Sequence, residues 1–243
     1  VNESSDWRPT ASAAALQLRA RLLARTRAFF AARGVLEVET PVLGTSTAAD
    51  PHIESLESSV CGSPRFLQTS PELFMKRLLA AGSGPIYQIG KVFRDGEVGA
   101  RHNPEFTLLE WYRPGLDHHG LMDEVDELLQ ETLGCEPATR ESYAEAFERR
   151  TGVDPHRVGS AELRSRAEAL GFHAVSSSRF SREDWLHLLM AEAVEPHLGI
   201  DRPHFLYDFP LELKALARVR KGSGNDADVA ERFEVFFRGL ELA

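Results

Sequence analysis

The densest run of residues able to do chemistry is Phe93-Arg94-Asp95-Gly96-Glu97, followed by Arg101-His102-Asn103-Pro104-Glu105-Phe106. An arginine at a strand end, facing a glycine-bearing loop, can grip a phosphate with its planar fork of donors. Glu97, Asn103 and Glu105 add polar groups able to hold a base or a cation. The same residues could instead be a solvated hairpin rim, and local chemistry alone does not choose between the two. Ser70-Pro71-Glu72 is a second candidate. Ser70 suits a helix N-cap, Pro71 the first helical position, and Glu72 complements the positive helix end. Read this way, Ser70 need be no more than a cap. Tyr112 alternates with Phe106 and Leu108, which also suits core or cross-strand packing.

These residues need elements to position them. Residues 13–33 read as an amphipathic helix, with Leu16, Leu23 and Phe30 recurring every seventh position and Leu22 and Phe29 on the same side. Gly34 is placed to end it in the left-handed conformation. Val35-Leu36-Glu37-Val38-Glu39-Thr40 reads as a strand stopped by Pro41, and Phe66-Leu67-Gln68-Thr69 as a short strand. A helix from Ser70 through Leu79 leads to the turn Gly82-Ser83-Gly84-Pro85. Strands over Ile86–Arg94 and Glu105–Tyr112 form an antiparallel hairpin with a long polar loop. Residues 119–133 form an acidic, solvated helix, and His118-His119 a polar turn. Residues 136–185 are mostly helical. Arg218 to Asp228 reads as a mobile loop, and Val229 to Ala243 returns to a strand pattern. The economical architecture is one α+β domain around a mainly antiparallel sheet.

Composition limits the function classes. The chain has 243 residues, 42% hydrophobic and 27% charged, with a net charge of -9. That balance opposes wide, non-specific binding to nucleic-acid phosphates. No apolar run reaches the roughly 20 residues of a membrane helix. The N-terminus, Val1 to Asp6, shows no basic and apolar signal-peptide pattern. The two cysteines, Cys61 and Cys135, lie outside any metal spacing, which fits a reducing cytoplasm. The nine histidines form no metal constellation. Neither G-x-x-x-x-G-K nor G-x-G-x-x-G occurs.

Arg101-His102-Asn103-Pro104-Glu105-Phe106-Thr107-Leu108-Leu109-Glu110 closely resembles motif 2 of class II lysyl-tRNA synthetases. Gly34 to Pro41 resembles their motif 1, the helix-strand unit of the dimer interface. Ser70 to Leu78 resembles the segment before motif 2 that helps bind the amino acid. With Glu110-Trp111-Tyr112-Arg113-Pro114-Gly115 and the short N-terminus, the wording looks like the paralogs that attach (R)-β-lysine to elongation factor P. Those paralogs lack the anticodon-binding domain. The resemblance extends from about Asp6-Trp7 to Ala243 and includes Val229 to Val235.

The resemblance implies a class II synthetase-like antiparallel sheet flanked by helices, spanning 1–243 with a mostly helical insertion at about 136–205. It implies that Arg94 is catalytic and binds the α-phosphate of ATP. Asp95, Gly96 and Asn103 would line the ATP site, joined by Glu241 and Leu242, with Glu241 near Mg²⁺. Ser70, Pro71, Glu72 and Tyr112 would contact the amino acid, lysine or (R)-β-lysine. The implied reaction forms an aminoacyl-adenylate and passes the acyl group to a lysine of elongation factor P. A cytoplasmic homodimer is implied; tRNA and membranes are not. The same resemblance places two further segments after Glu241-Leu242: an Asn-Gly-Phe-His-Glu-Leu type segment and a Gly-x-Gly-x-acid-Arg motif 3. This sequence reaches Ala243 without them. Gly222-Ser223-Gly224-Asn225 has only a superficial likeness to motif 3, lacks its arginine and reads as a surface loop. The expectation is therefore a catalytic domain incomplete at its C-terminus, with exposed sheet edge and poor stability as an isolated product. A truncated lysyl-tRNA synthetase and a catalytically dead binding module stand as alternatives.

Overall fold

The computed structural model describes residues 9–46, 53–99, 102–172 and 180–243. Arg101 and the N-terminal Asp6-Trp7 of the motif resemblance lie outside the described residues. The chain divides into two compact units, Val1–Leu116 and Asp117–Ala243.

The first unit opens with helix α1, Ala13–Ala32, started by Ser12, whose hydroxyl accepts the Ala15 N–H. Only its C-terminal end is buried, at Phe29 and Phe30; Leu16 stays exposed. Gly34 then adopts φ 66°, as its type predicted. β1 is only Leu36–Glu37, parallel to β5, Ile86–Phe93. The alternation that suggested a longer strand runs on as one further bond, Val38 N–H to Tyr87 O. A small sheet pairs β2, Leu43–Gly44, with β4, Ser63–Leu67, and β4 with β3, Glu57–Val60. Helix α2, Glu72–Ala80, leads back to β5. β5 pairs antiparallel with β6, Glu105–Tyr112, in unbroken register from Ile86↔Tyr112 to Phe93↔Glu105.

One face of this hairpin is sealed by α1. Phe30 stacks on Tyr87 at 4.4 Å and meets the Trp111 ring edge-on at 5.4 Å. Tyr87 donates to Glu37 at 2.9 Å, and burial with that carboxylate pushes its phenol up to about 12. Strand side chains alternate between faces. Gln88, Glu110 and Tyr112 therefore share the opposite face.

The second unit opens with α3, His118–Leu133. His118 and His119 are its first two residues, not a turn. His118 is buried against Asp208 at 3.1 Å, and Met122, Val125 and Leu128 bury one face, so the helix is not wholly solvated. β7, Thr139–Ser142, lies parallel to β8, His204–Phe209. Between them come α4, Tyr143–Thr151, α5, Ser160–Ala169, and α6, Arg182–Leu189. They close a core around Tyr143, Phe147, Trp185, Leu189 and Phe209.

β10, Val229–Phe237, pairs antiparallel with β8 and with the short β9, Val219–Arg220. The expected loop from Arg218 thus begins as paired strand. Arg220 bonds Asp208, and Arg218 bonds Glu231, which hold β9 in place. The expected strand to Ala243 turns back at Arg238 and Gly239, φ 53° and 72°, into β11, Leu240–Glu241. The strands of the described residues make three sheets rather than one. Alternation marks a strand but does not say which strand it pairs with. All pairs are antiparallel except β1–β5 and β7–β8.

Candidate functional site

The open face of the β5–β6 hairpin collects the polar residues of the first unit. Tyr112 donates its hydroxyl to Glu110 Oε1 at 2.6 Å, a short bond of the charge-assisted kind. Glu110 stands directly across from Gln88. Burial pushes the Glu110 carboxyl above the usual range. The Tyr112 bond opposes this, the nearby Glu72 charge adds to it, and Lys76 and a hydrogen bond with Ser70 lower it. The Tyr112 phenol is held far above its ordinary value by burial and by the Glu110 carboxylate.

Helix α2 supplies the second wall. Pro71 occupies its N-cap rather than the first helical position, and Ser70 lies one residue earlier. The Ser70 hydroxyl still accepts the Glu72 N–H at 3.2 Å, so it anchors the helix start as well as reaching Glu110. Glu72 holds Lys76 one turn on, at 2.5 Å. Ser70, Glu72, Glu110 and Tyr112 form one acceptor-rich cluster suited to an ammonium group.

Arg94 follows β5 directly. Its N–H bonds Pro104 O at 2.9 Å, which closes the hairpin. The guanidinium is 24% exposed and lies 5.1 Å over the Phe106 ring. Its described bonds are long, 3.4 Å to Thr69 O and 3.4 Å to Glu97. Such long bonds leave most of the donor fork available to an anion. The neighbouring Asp95 N–H bonds Glu54 O, and Asp95 Oδ1 accepts the Gly96 N–H at 2.8 Å. Gly96 has φ 76°, which a side chain would disfavour. Asn103 is exposed on the return side of the loop.

Glu241 and Leu242 belong to the second unit. Glu241 is exposed on β11, and the Leu242 N–H bonds Val235 O at 2.8 Å. Burial raises the carboxyls of Glu195 and Glu234, and the Glu241 charge adds to both shifts. Glu234 is pushed to about 7, mainly by burial, although Arg232 pairs with it. No group of three His, Cys, Asp or Glu among the described residues is arranged to hold a metal.

Sequence reasoning named Ser70, Glu72 and Tyr112 but gave no role to Glu110, which ties them together. The signal was present: Glu110 sits two residues before Tyr112 on the same strand, hence on the same face.

Residues 2–243 match the family described as tRNA synthetases class II (D, K and N). Similar proteins named elongation factor P–(R)-β-lysine ligase occur in several bacteria. That of Proteus mirabilis is 47% identical, that of Photorhabdus laumondii 48% and that of Yersinia enterocolitica 46%. Each comparison covers 100% of this chain and 76% of the relative. With the hairpin, the arginine at its loop end and the whole-chain match in agreement, the chain belongs to the class II tRNA synthetases of the D, K and N type.

Proposed function

We propose that the protein uses ATP to activate (R)-β-lysine, or lysine, as an aminoacyl-adenylate and transfers it to a lysine of elongation factor P. The observation that carries this reading is the Glu110–Tyr112 acceptor pair on the same hairpin that ends in Arg94. A substrate with an ammonium at one end and a carboxylate at the other fits that polarity. The relatives' name supplies the acceptor.

In this reading Arg94 binds the α-phosphate while a substrate carboxylate oxygen attacks phosphorus and pyrophosphate leaves. The guanidinium stabilises charge that grows on the phosphoryl oxygens. An amine of the acceptor lysine then attacks the acyl carbon, and AMP departs. Glu72, Glu110 and Tyr112 hold the substrate ammonium, with Ser70 and Pro71 fixing the helix start beside them. Asp95, Gly96 and Asn103 line the ATP side in the first unit; Glu241 and Leu242, in the second unit, are assigned to ATP by the resemblance alone. Mg²⁺ would neutralise phosphate charge. Among the described residues no three-ligand set is preformed, and Glu241 would supply a single carboxylate to the ion, as is usual for magnesium. Apolar Leu16 and Leu36 are 55% and 58% exposed on α1 and β1, elements that the resemblance assigns to a homodimer interface. A protein acceptor, rather than tRNA, also suits the net charge of -9. A translation factor as acceptor is consistent with a cytoplasmic protein.

The test is ATP–pyrophosphate exchange with (R)-β-lysine and with lysine, followed by mass analysis of elongation factor P. Exchange should depend on the amino acid and fall by about 10²–10³ in Arg94→Ala. Folded protein that exchanges with neither amino acid, or that loads tRNA and leaves the factor unmodified, refutes the proposal.

A further inference from the structure

Two buried glutamines lie in the first unit, and they differ in one respect. Gln68 spends both ends of its carboxamide: Nε2 donates to Lys91 O at 2.9 Å, and Oε1 accepts from Thr40 at 3.4 Å. Gln88 is only 4% exposed, yet its Oε1 is buried with no hydrogen-bond partner among the described residues. An unsatisfied buried acceptor opposes folding. A chain rarely keeps such a group unless something else donates to it.

The surroundings say what kind of donor fits. Gln88 stands across the ladder from Glu110, and its neighbour on the same face is Gly90, across from Leu108. A Cβ at Gly90 would come within 3.0 Å of Gln88 Nε2, so the carboxamide lies along the strand in space a side chain would otherwise take. Glu72 raises the Glu110 carboxyl through its own charge, so both carboxylates act on this region. An acceptor beside carboxylates suits a cation that brings several N–H donors. An ammonium brings three.

The position of Gln88 also selects which end of the substrate. Arg94 sits at the loop end of β5, where a carboxylate must meet phosphate. Gln88, Glu110 and Tyr112 sit toward the other end of the hairpin. We infer that Gln88 Oε1 accepts a hydrogen bond from the substrate ammonium farthest from the reacting carboxyl. Gln88 is thus a specificity residue for a terminal amine, beside the ionic partner Glu110. This rests on the reading that the open hairpin face holds the amino acid.

The experiment compares Gln88→Met, Gln88→Asn and Gln88→Glu in amino-acid-dependent pyrophosphate exchange. Each is assayed with (R)-β-lysine and with 3-aminohexanoic acid, which lacks the terminal amine. Gln88→Met removes the acceptor at similar volume. It should raise KM for (R)-β-lysine by about 10- to 100-fold, the worth of a hydrogen bond to a charged group. The KM for ATP should not change, and the preference for (R)-β-lysine over the analogue should shrink by the same factor. Gln88→Asn withdraws the acceptor while keeping a carboxamide, and should act in the same direction. Gln88→Glu restores an acceptor and should recover the preference. A general packing defect would weaken both amino acids alike and leave the preference intact. If the folded Met and Asn variants keep the wild-type KM and preference, the inference is overturned and the proposed function stands. If the wild type shows no amino-acid-dependent exchange, the proposed function fails and takes this inference with it.

Discussion

Replacing Tyr112 with phenylalanine removes one hydroxyl and leaves the ring in place. That hydroxyl donates to Glu110 at 2.6 Å, inside the short range for bonds to an ionised oxygen. Such a bond to a charged group is worth about 1.5–3 kcal/mol. It therefore holds the Glu110 carboxyl below where burial alone would set it. The sign is clear: burial raises this carboxyl and the Tyr112 bond lowers it. Only the ionised carboxylate attracts a substrate ammonium, so amino-acid affinity is lost as pH falls through the Glu110 pKa. In Tyr112→Phe that pKa rises. The acidic limb of kcat/KM for the amino acid should therefore move to higher pH. The assay is pyrophosphate exchange at subsaturating amino acid across pH 5–9, repeated at subsaturating ATP with the amino acid saturating. The ATP profile should keep its limb. A uniform fall in kcat/KM at every pH, with the limb unmoved, would refute the argument and reduce Tyr112 to packing or direct contact.

Two other predictions concern the second unit. Glu234, whose side chain is 14% exposed, has its carboxyl raised from 4.5 to about 7, chiefly by burial. The folded state therefore holds this proton more tightly than the unfolded chain does. The stability it lends is complete below pH about 4.5 and is lost as pH rises through about 7, a change of about 3 kcal/mol. Urea unfolding at pH 5 and pH 8 should show Glu234→Gln more stable than wild type at pH 8 only; a less stable variant at pH 8 counts against the assignment. Ser142 and Glu145 form a capping box at the start of α4. Ser142→Ala should cost about 1 kcal/mol in the urea midpoint with unchanged slope, and an unaltered midpoint would show the cap to be idle.

Much of the first unit was legible because its signals are local. The β5–β6 hairpin has strong alternation bounded by Pro85 and a polar loop, and β6 begins and ends at the expected residues. Helix α1 was visible from Leu16, Leu23 and Phe30, although only the Phe29–Phe30 end is buried. Long-range choices were not legible. Val219–Arg220 looked like loop because two residues carry no periodicity; they pair with β10, and Arg218 and Arg220 also meet Glu231 and Asp208. The reversal at Arg238 was hidden because an arginine at positive φ is rare and Gly239 alone is a weak turn signal. Ser70, Glu72 and Tyr112 could be named by type and by resemblance. Glu110 shares a face with Tyr112 by spacing alone, but its place across from Gln88 depends on the β5–β6 register, and its bond with Ser70 on where the start of α2 comes to rest.

The same register sets a cost that can be measured. A buried carboxylate kept for binding opposes folding whenever it is ionised without its cation. Burial raises the Glu110 carboxyl, so its protonated form favours the folded state, and that contribution is lost as pH rises through its pKa. Glu110→Gln keeps an oxygen to accept from Tyr112 and removes the charge. Without substrate, the variant should melt higher than wild type at pH 8, and the difference should close at a pH below the ordinary carboxylate value of 4.5. Adding amino acid at pH 8 should raise the wild-type melting temperature and leave the variant nearly unmoved, since ligand stabilises only the state that binds it. Affinity and stability then change in opposite directions through one atom, as expected where a charged group is kept for binding. A variant that melts lower at pH 8, and still responds to the amino acid, would mean that Glu110 is held in a structural network. The ammonium would then have to be met by Glu72 alone.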